Sequence, residues 1–201
     1  MDQFVFLFPD KWNIDKDLIK NNPPWGVFGR FTEYSRLLDQ CIELRYRSKG
    51  FGINHVLLKG ESISSLVKLN DSDNIFYANI SREDMNIACK ANKDYHADSE
   101  QIISQLGLTP DDELIIGGFH LRDCVSRLAK DAYNKGINVL VDEDLTETFL
   151  HRSKSSDFRI GVSNSFNPLE KSLQFYNYCV KANEGKPWMY QYPPLTLQLE
   201  D

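Results

Sequence analysis

No stretch of this chain reaches the roughly 18 consecutive apolar residues that a spanning helix needs, so a membrane crossing is not expected. Cysteine is scarce: Cys41, Cys89, Cys124 and Cys179 stand far apart with no CxxC pair. That spacing argues against a zinc site and, in a reducing compartment, against a disulfide frame. A basic surplus is missing too. Twenty-three Lys and Arg face 29 Asp and Glu, for a formal charge of -6, and the basic residues are dispersed rather than bunched. This removes the electrostatic reason to bind a phosphate backbone, so nucleic acid is not an expected partner. The N-terminal MDQFVFLFPDKW has an apolar stretch too short for a signal-peptide core, an acid at position 2 and no small-residue cleavage site. A cytoplasmic location is the expectation.

What is present suits one compact domain over residues 1–201, because 41% hydrophobic residues supply a sizeable core at this length. FVFLF at 4–8 is a continuous apolar run, the pattern of a strand covered on both faces, and it stops at Pro9-Asp10. From Phe31 to about Ser48, Tyr34, Leu37, Leu38, Cys41, Ile42 and Leu44 recur at helical spacing, with Gly50 and Gly52 as stop signals. INHVLLKG is a second strand. Between 61 and 80, SISSLVKL reads as a turn of helix and NIFYANI as a strand, joined by LNDSDN. MNIACK, 85–90, fits either a strand or the end of a helix, since so short a run has no decisive period.

The second half is more regular. Asp98 is placed to cap a helix over 99–106 that Gly107 closes. ELIIGG is a strand, residues 122–135 an amphipathic helix ended by Gly136, and INVLVDED a further strand. Strand, helix and strand over 113–141 with short links imply a parallel pair and a right-handed crossover. The whole predicts an α/β domain, a mostly parallel sheet with helices on both faces. Reactive groups in such a domain collect beyond the carboxyl ends of the strands, where Asp10, Lys90 and the 118–124 loop fall. From about 151 a C-terminal extension follows, with FRIGVS as a strand and PLEKSLQFYNYCV as a helix. Its end, KPWMYQYPPLTLQLED, is rich in aromatics and proline and reads as lying over another surface such as a second subunit.

Cys124 is the residue on which function turns. Read alone, a cysteine in an apolar setting is packing, as Cys41, Cys89 and Cys179 are read here. Gly117 and Gly118, however, let the chain leave its strand so that Cys124 enters the first turn of the next helix. Free N–H groups and the positive dipole end favour a thiolate there and can hold an oxyanion.

The segment GGFHLRDCVSRLAKDAYNKGINVLVDEDLTE resembles the cysteine-bearing segment of the isochorismatase-like cysteine hydrolases, which include nicotinamidases and N-carbamoylsarcosine amidases. The resemblance rests on Gly118, Cys124-Val125, Leu128-Ala129, Asp131-Ala132, Gly136 and Val141 through Thr146 at matching intervals. It implies a Rossmann-like three-layer sandwich, commonly oligomeric, and a triad of Asp, Lys and Cys. Cys124 would attack a carbonyl carbon. Asp10 would carry the thiol proton to the leaving nitrogen, and Lys90 or the nearby Lys93 would fix that Asp. Water would then release the acyl-enzyme. Asp10 reads equally as the cap of a helix over NIDKDLIK. The oxyanion hole maps to the N–H groups of His120 and Cys124, with a cis bond between Phe119 and His120. His120 and Leu121 stand where the family carries a small residue and a Thr.

Nicotinamidases hold a divalent ion with an Asp and several His after strand two, but no His lies between Lys59 and Lys90 here, and His55, His96, His120 and His151 are scattered. No metal or cofactor is expected. The expected activity is cleavage of a C–N bond in a small amide, carbamoyl or imide compound through a Cys124 thioester, by a homo-oligomer. The alternative is a catalytically reduced member that binds a small molecule or protein partner. A vinyl-ether hydrolase, which needs the Asp but not the cysteine, is a third possibility.

Overall fold

The computed structural model describes residues 1–20, 27–91, 96–119, 121–146 and 184–188. Five parallel strands form one sheet in the order β3-β2-β1-β4-β5, with β1 at Gln3–Leu7, β2 at Gly52–Lys59, β3 at Asn74–Ser81, β4 at Glu113–Gly118 and β5 at Asn138–Thr146. The helices are α1 (Lys11–Lys20), α2 (Val27–Arg45), α3 (Arg82–Lys90), α4 (Ser99–Leu106) and α5 (Ser126–Asn134).

Alternate residues of the central strand face opposite sides, so a buried run must find cover on both. Val5 and Leu7 pack with Ile102 and Ile103 of α4 and Leu128, Ala129 and Ala132 of α5. Phe4 and Phe6 join Ile14 of α1 and Tyr34, Leu38, Cys41 and Ile42 of α2 on the other face. The α/β layering with helices on both faces is thus as the sequence implies. Asp98 caps α4 by accepting from the N–H groups of Glu100 and Gln101, and Gly107 closes it in the left-handed conformation. No helix among the described residues is long and apolar enough to cross a membrane.

Several elements differ from the sequence reading. SISSLVKL forms turns, not helix, before β3. For MNIACK, of the two readings left open, the end of a helix is the one found: it closes α3, which begins where Ser81 and Asp84 make a reciprocal cap, the Ser81 N–H and hydroxyl donating to Asp84 Oδ2 at 3.1 and 2.6 Å and the Asp84 N–H donating to Ser81 Oγ at 3.2 Å. A serine followed three residues later by an acid starts a helix directly at the strand's end. Cys124 lies in a π-helical turn over Leu121–Val125 that precedes α5, rather than in the first turn of an α-helix.

FRIGVS and PLEKSLQFYNYCV, including Cys179, lie outside the described residues, as does the chain after Trp188. Trp188 itself turns back onto its own chain. It is buried in the core that holds α5, its ring is 5.4 Å from that of Tyr133, and its carbonyl accepts from the Val141 N–H at 3.0 Å.

One charged pair is sealed inside. Arg45, closing α2, donates through Nη1 to both oxygens of Asp142 on β5 at 3.2 and 2.9 Å, and the Tyr46 hydroxyl donates to Asp142 as well. The two charged side chains are 0% and 2% exposed.

Candidate functional site

The carboxyl edge of the sheet is built around the two central strands. β1 and β4 pair in parallel with Leu7 opposite Gly118, and the chain leaves both strands toward the same edge. β1 is followed by Phe8, whose φ of 56° is left-handed and strained for an aromatic residue. Two hydrogen bonds hold it: its N–H donates to Val56 O at 2.7 Å, and its carbonyl accepts from Asn13 Nδ2 at 3.1 Å. The reversal delivers Asp10 to a fully buried position, tied by backbone bridging to Ile63 in the loop after β2.

Asp10 accepts from several donors, the Trp12 N–H among them. Its Oδ1 accepts from the Asn13 N–H at 3.0 Å and from Arg82 Nη2 at 2.8 Å, and its Oδ2 from Asn13 Nδ2 at 2.8 Å. The first of these is an N-cap bond to α1, so the capping role weighed from NIDKDLIK is met in the fold. Arg82 opens α3, and a cation at a helix N-terminus opposes the macrodipole, so its placement is explained by the acids it touches. Its Nε donates to Glu61 at 2.8 Å, and its guanidinium lies 4.3 Å from the Trp12 ring centroid. Burial raises the Asp10 carboxyl above its ordinary range, more than the Asn13 N–H and the Arg82 charge lower it.

The cation on Asp10 is therefore Arg82, not Lys90. Lys90 is exposed on the last turn of α3, where helix formation by MNIACK carries it away from the strand end. Lys93 and His120 lie outside the described residues, and with His120 the expected cis bond and half of the expected oxyanion hole.

Beyond β4, Gly118 has a φ of +121°, and a Cβ there would lie 2.4 Å from the Leu7 carbonyl oxygen. The close approach lets the Phe119 N–H donate to that oxygen at 3.0 Å. Cys124 follows, 6% exposed. Burial, and then the neighbouring Asp123 carboxylate, push the thiol up to about 12, with Arg127 opposing, which runs against the thiolate expected from position at a helix start. Desolvation and the Asp123 charge outweigh what the backbone N–H of Cys124 and the Arg127 charge offer.

Sequence reasoning missed Arg82, although the S-R-E-D start of α3 signals a helix whose first residue is a cation. It also missed that His96, ahead of α4, comes to Cys124. A ring nitrogen of His96, an Asp123 carboxylate oxygen and the Cys124 sulfur lie within 4.8 Å of one another, and His96 Nδ1 is 3.4 Å from Asp123 Oδ2. The reading of scattered histidines without metal-ligand grouping is corrected to that extent. His55 is elsewhere, buried on β2 with Nε2 3.5 Å from Asp73 Oδ2.

An open cavity of about 740 Å³ lies between α1, α2 and the loop after β2, and Lys11, next to Asp10 in the chain, lines it. Arg36, Lys68, Ser64 and Ser65 contribute to its lining, together with Asp15 and Asp39. The loop is fixed to the strand end by the Ser64 N–H donating to Pro9 O at 2.9 Å.

No family model matches this chain, and no curated protein matches it. Among solved structures it is similar in shape to isochorismatase-like proteins. An isochorismatase from Pseudomonas putida KT2440 is 14% identical, with a TM-score of 0.45, over 94% of this chain and 85% of that one. The pyrazinamidase of Pyrococcus horikoshii is 13% identical, with a TM-score of 0.43, over 94% and 96%. The MAR1 ribonuclease from Caenorhabditis elegans is 13% identical, with a TM-score of 0.42, over 93% and 85%. The likeness is one of shape. At this depth it says nothing of this chain's reaction.

Proposed function

We propose that this chain is a catalytically reduced isochorismatase-like protein that binds a small polar molecule at the carboxyl edge of its sheet. The observation that carries this reading is the state of Cys124. A thiol pushed up to about 12 is ionised at pH 7 in roughly one molecule in 10⁵, which adds on the order of 7 kcal/mol to any attack by the thiolate. Asp10 supports the same reading, because its oxygens are already engaged by Asn13 and Arg82. Among the described residues, the charges that act on Cys124 are those of Asp123 and Arg127, and those that act on Asp10 are Arg82 and Glu61. These separate sets of partners support a relay divided between two networks. The cavity between α1, α2 and the loop after β2, with its mixture of ammonium, guanidinium, hydroxyl and carboxylate groups, is the site offered for the ligand.

A second reading has its own support. Asp10 and Cys124 follow adjacent strands paired at Leu7 and Gly118, and the Cys124 segment has the spacing of a cysteine hydrolase. In that reading Cys124 forms a thioester with a small amide, carbamoyl or imide compound. Asp10 moves the proton, and Arg82 takes the part expected of Lys90. Ammonia release from a panel of such compounds separates the two. The reduced reading expects wild type and Cys124→Ser to give the same rate as buffer. Turnover by wild type that Cys124→Ser abolishes would establish the hydrolase instead.

A further inference from the structure

The reading above takes Cys124 as a metal-free thiol; grouped with His96 and Asp123, the same sulfur has a chemistry that points elsewhere. Imidazole nitrogen, carboxylate oxygen and thiolate sulfur are together a donor set for a borderline-soft divalent ion and a poor one for Mg²⁺ or Ca²⁺. As ligands they carry two negative charges, which a divalent cation neutralises.

The distances agree with a shared ion. Two ligands about 2.0–2.1 Å from a tetrahedral centre are about 3.3–3.4 Å apart, and His96 Nδ1 stands 3.4 Å from Asp123 Oδ2. The sulfur is within 4.8 Å of a ring nitrogen of His96 and a carboxylate oxygen of Asp123, against about 3.5 Å for the corresponding edge of such a site. A closure on the order of 1 Å completes the face. The carboxylate is also oriented from outside: Arg127 Nε donates to Asp123 Oδ1 at 2.8 Å, which leaves Oδ2 turned toward His96. Outer partners that fix a ligand in this way are the usual companions of metal sites. The backbone contributes as well, since Asp123 and Cys124 both come from the π-helical turn over Leu121–Val125, a geometry frequent at functional sites.

We propose that His96, Asp123 and Cys124 bind one zinc-type divalent cation with three protein ligands and a fourth position open to water or a ligand. This differs from the metal arrangement that the family resemblance led us to look for, in both residues and place, and it stands whether or not the cavity between α1 and α2 is occupied.

Cobalt(II) is the probe. Titrated into the full chain after chelator treatment, it is expected to bind one equivalent with four-coordinate visible bands and a near-ultraviolet sulfur-to-cobalt charge-transfer band. Cys124→Ser must lose the charge-transfer band. His96→Ala, changed outside any helix or strand, must weaken cobalt binding by more than the roughly 10–100-fold that loss of an outer-shell partner costs. Circular dichroism of each variant establishes that it is folded, and the His96 variant carries the test if the Cys124 variant is not. Absence of the charge-transfer band in wild type overturns the proposal. So does a band unchanged in Cys124→Ser, or cobalt affinity unchanged in His96→Ala.

Discussion

Asp142→Ala is expected to destabilise the fold by about 3–5 kcal/mol, because it strands the buried guanidinium of Arg45 without its carboxylate. The pair is sealed from water, and the Tyr46 hydroxyl loses its acceptor in the same step. For a chain of this size that corresponds to a fall in Tm of about 6–20 °C. Thermal or urea unfolding followed by circular dichroism measures it. The double variant Arg45→Met with Asp142→Leu is expected to recover most of the loss, since replacing both charges removes the desolvation cost along with the attraction. A single variant within about 1 kcal/mol of wild type would mean that Arg45 reaches water or another acceptor on losing Asp142.

Gly118→Ala is expected to cost about 2–6 kcal/mol, combining left-handed backbone strain with overpacking. A methyl group at Gly118 would sit 2.4–2.8 Å from the backbone N, Cα and O of Leu7, and backbone cannot rotate away as a side chain can. The damage falls on the β1–β4 pairing, the pair of strands that Asp10 and the Cys124 turn follow. Gly117→Ala is a graded comparison. Its Cβ would meet the Leu145 carbonyl oxygen at 2.8 Å, but its φ is outside the left-handed range, so the smaller loss is expected there. Equal losses in the two variants would show that the positive φ adds nothing.

The two glycines illustrate what the sequence made legible. Both were read as a place where a side chain would obstruct the chain leaving its strand, and the register with Leu7 supplies the reason. The strands were legible because runs such as FVFLF and ELIIGG are apolar at every position, which only a sheet covered on both faces accommodates. Arg82 was not legible as the partner of Asp10. The two are 72 residues apart, and the pairing depends on the Ser81–Asp84 cap starting α3 where a strand reading of MNIACK had put the reactive lysine. The state of Cys124 was hidden for a different reason. Position at a helix start argued for a thiolate, whereas the outcome depends on how completely tertiary packing removes water, and burial is not a local property of the chain. The approach of His96 to Asp123 and Cys124 has the same origin: it is made by the fold, with no ligand spacing in the sequence.

The central claim is that Cys124 is held as a thiol, and the pH profile of its alkylation tests this most directly. Iodoacetamide labelling of the chelator-treated protein, read at Cys124 by peptide mass spectrometry, is expected to be slow at pH 7. With the thiol at about 12, the rate should climb about tenfold per pH unit from pH 7 to 10 without levelling, as the thiolate fraction does. Rapid labelling that levels off below about pH 8 would contradict it, and would return Cys124 to the role of a ready nucleophile.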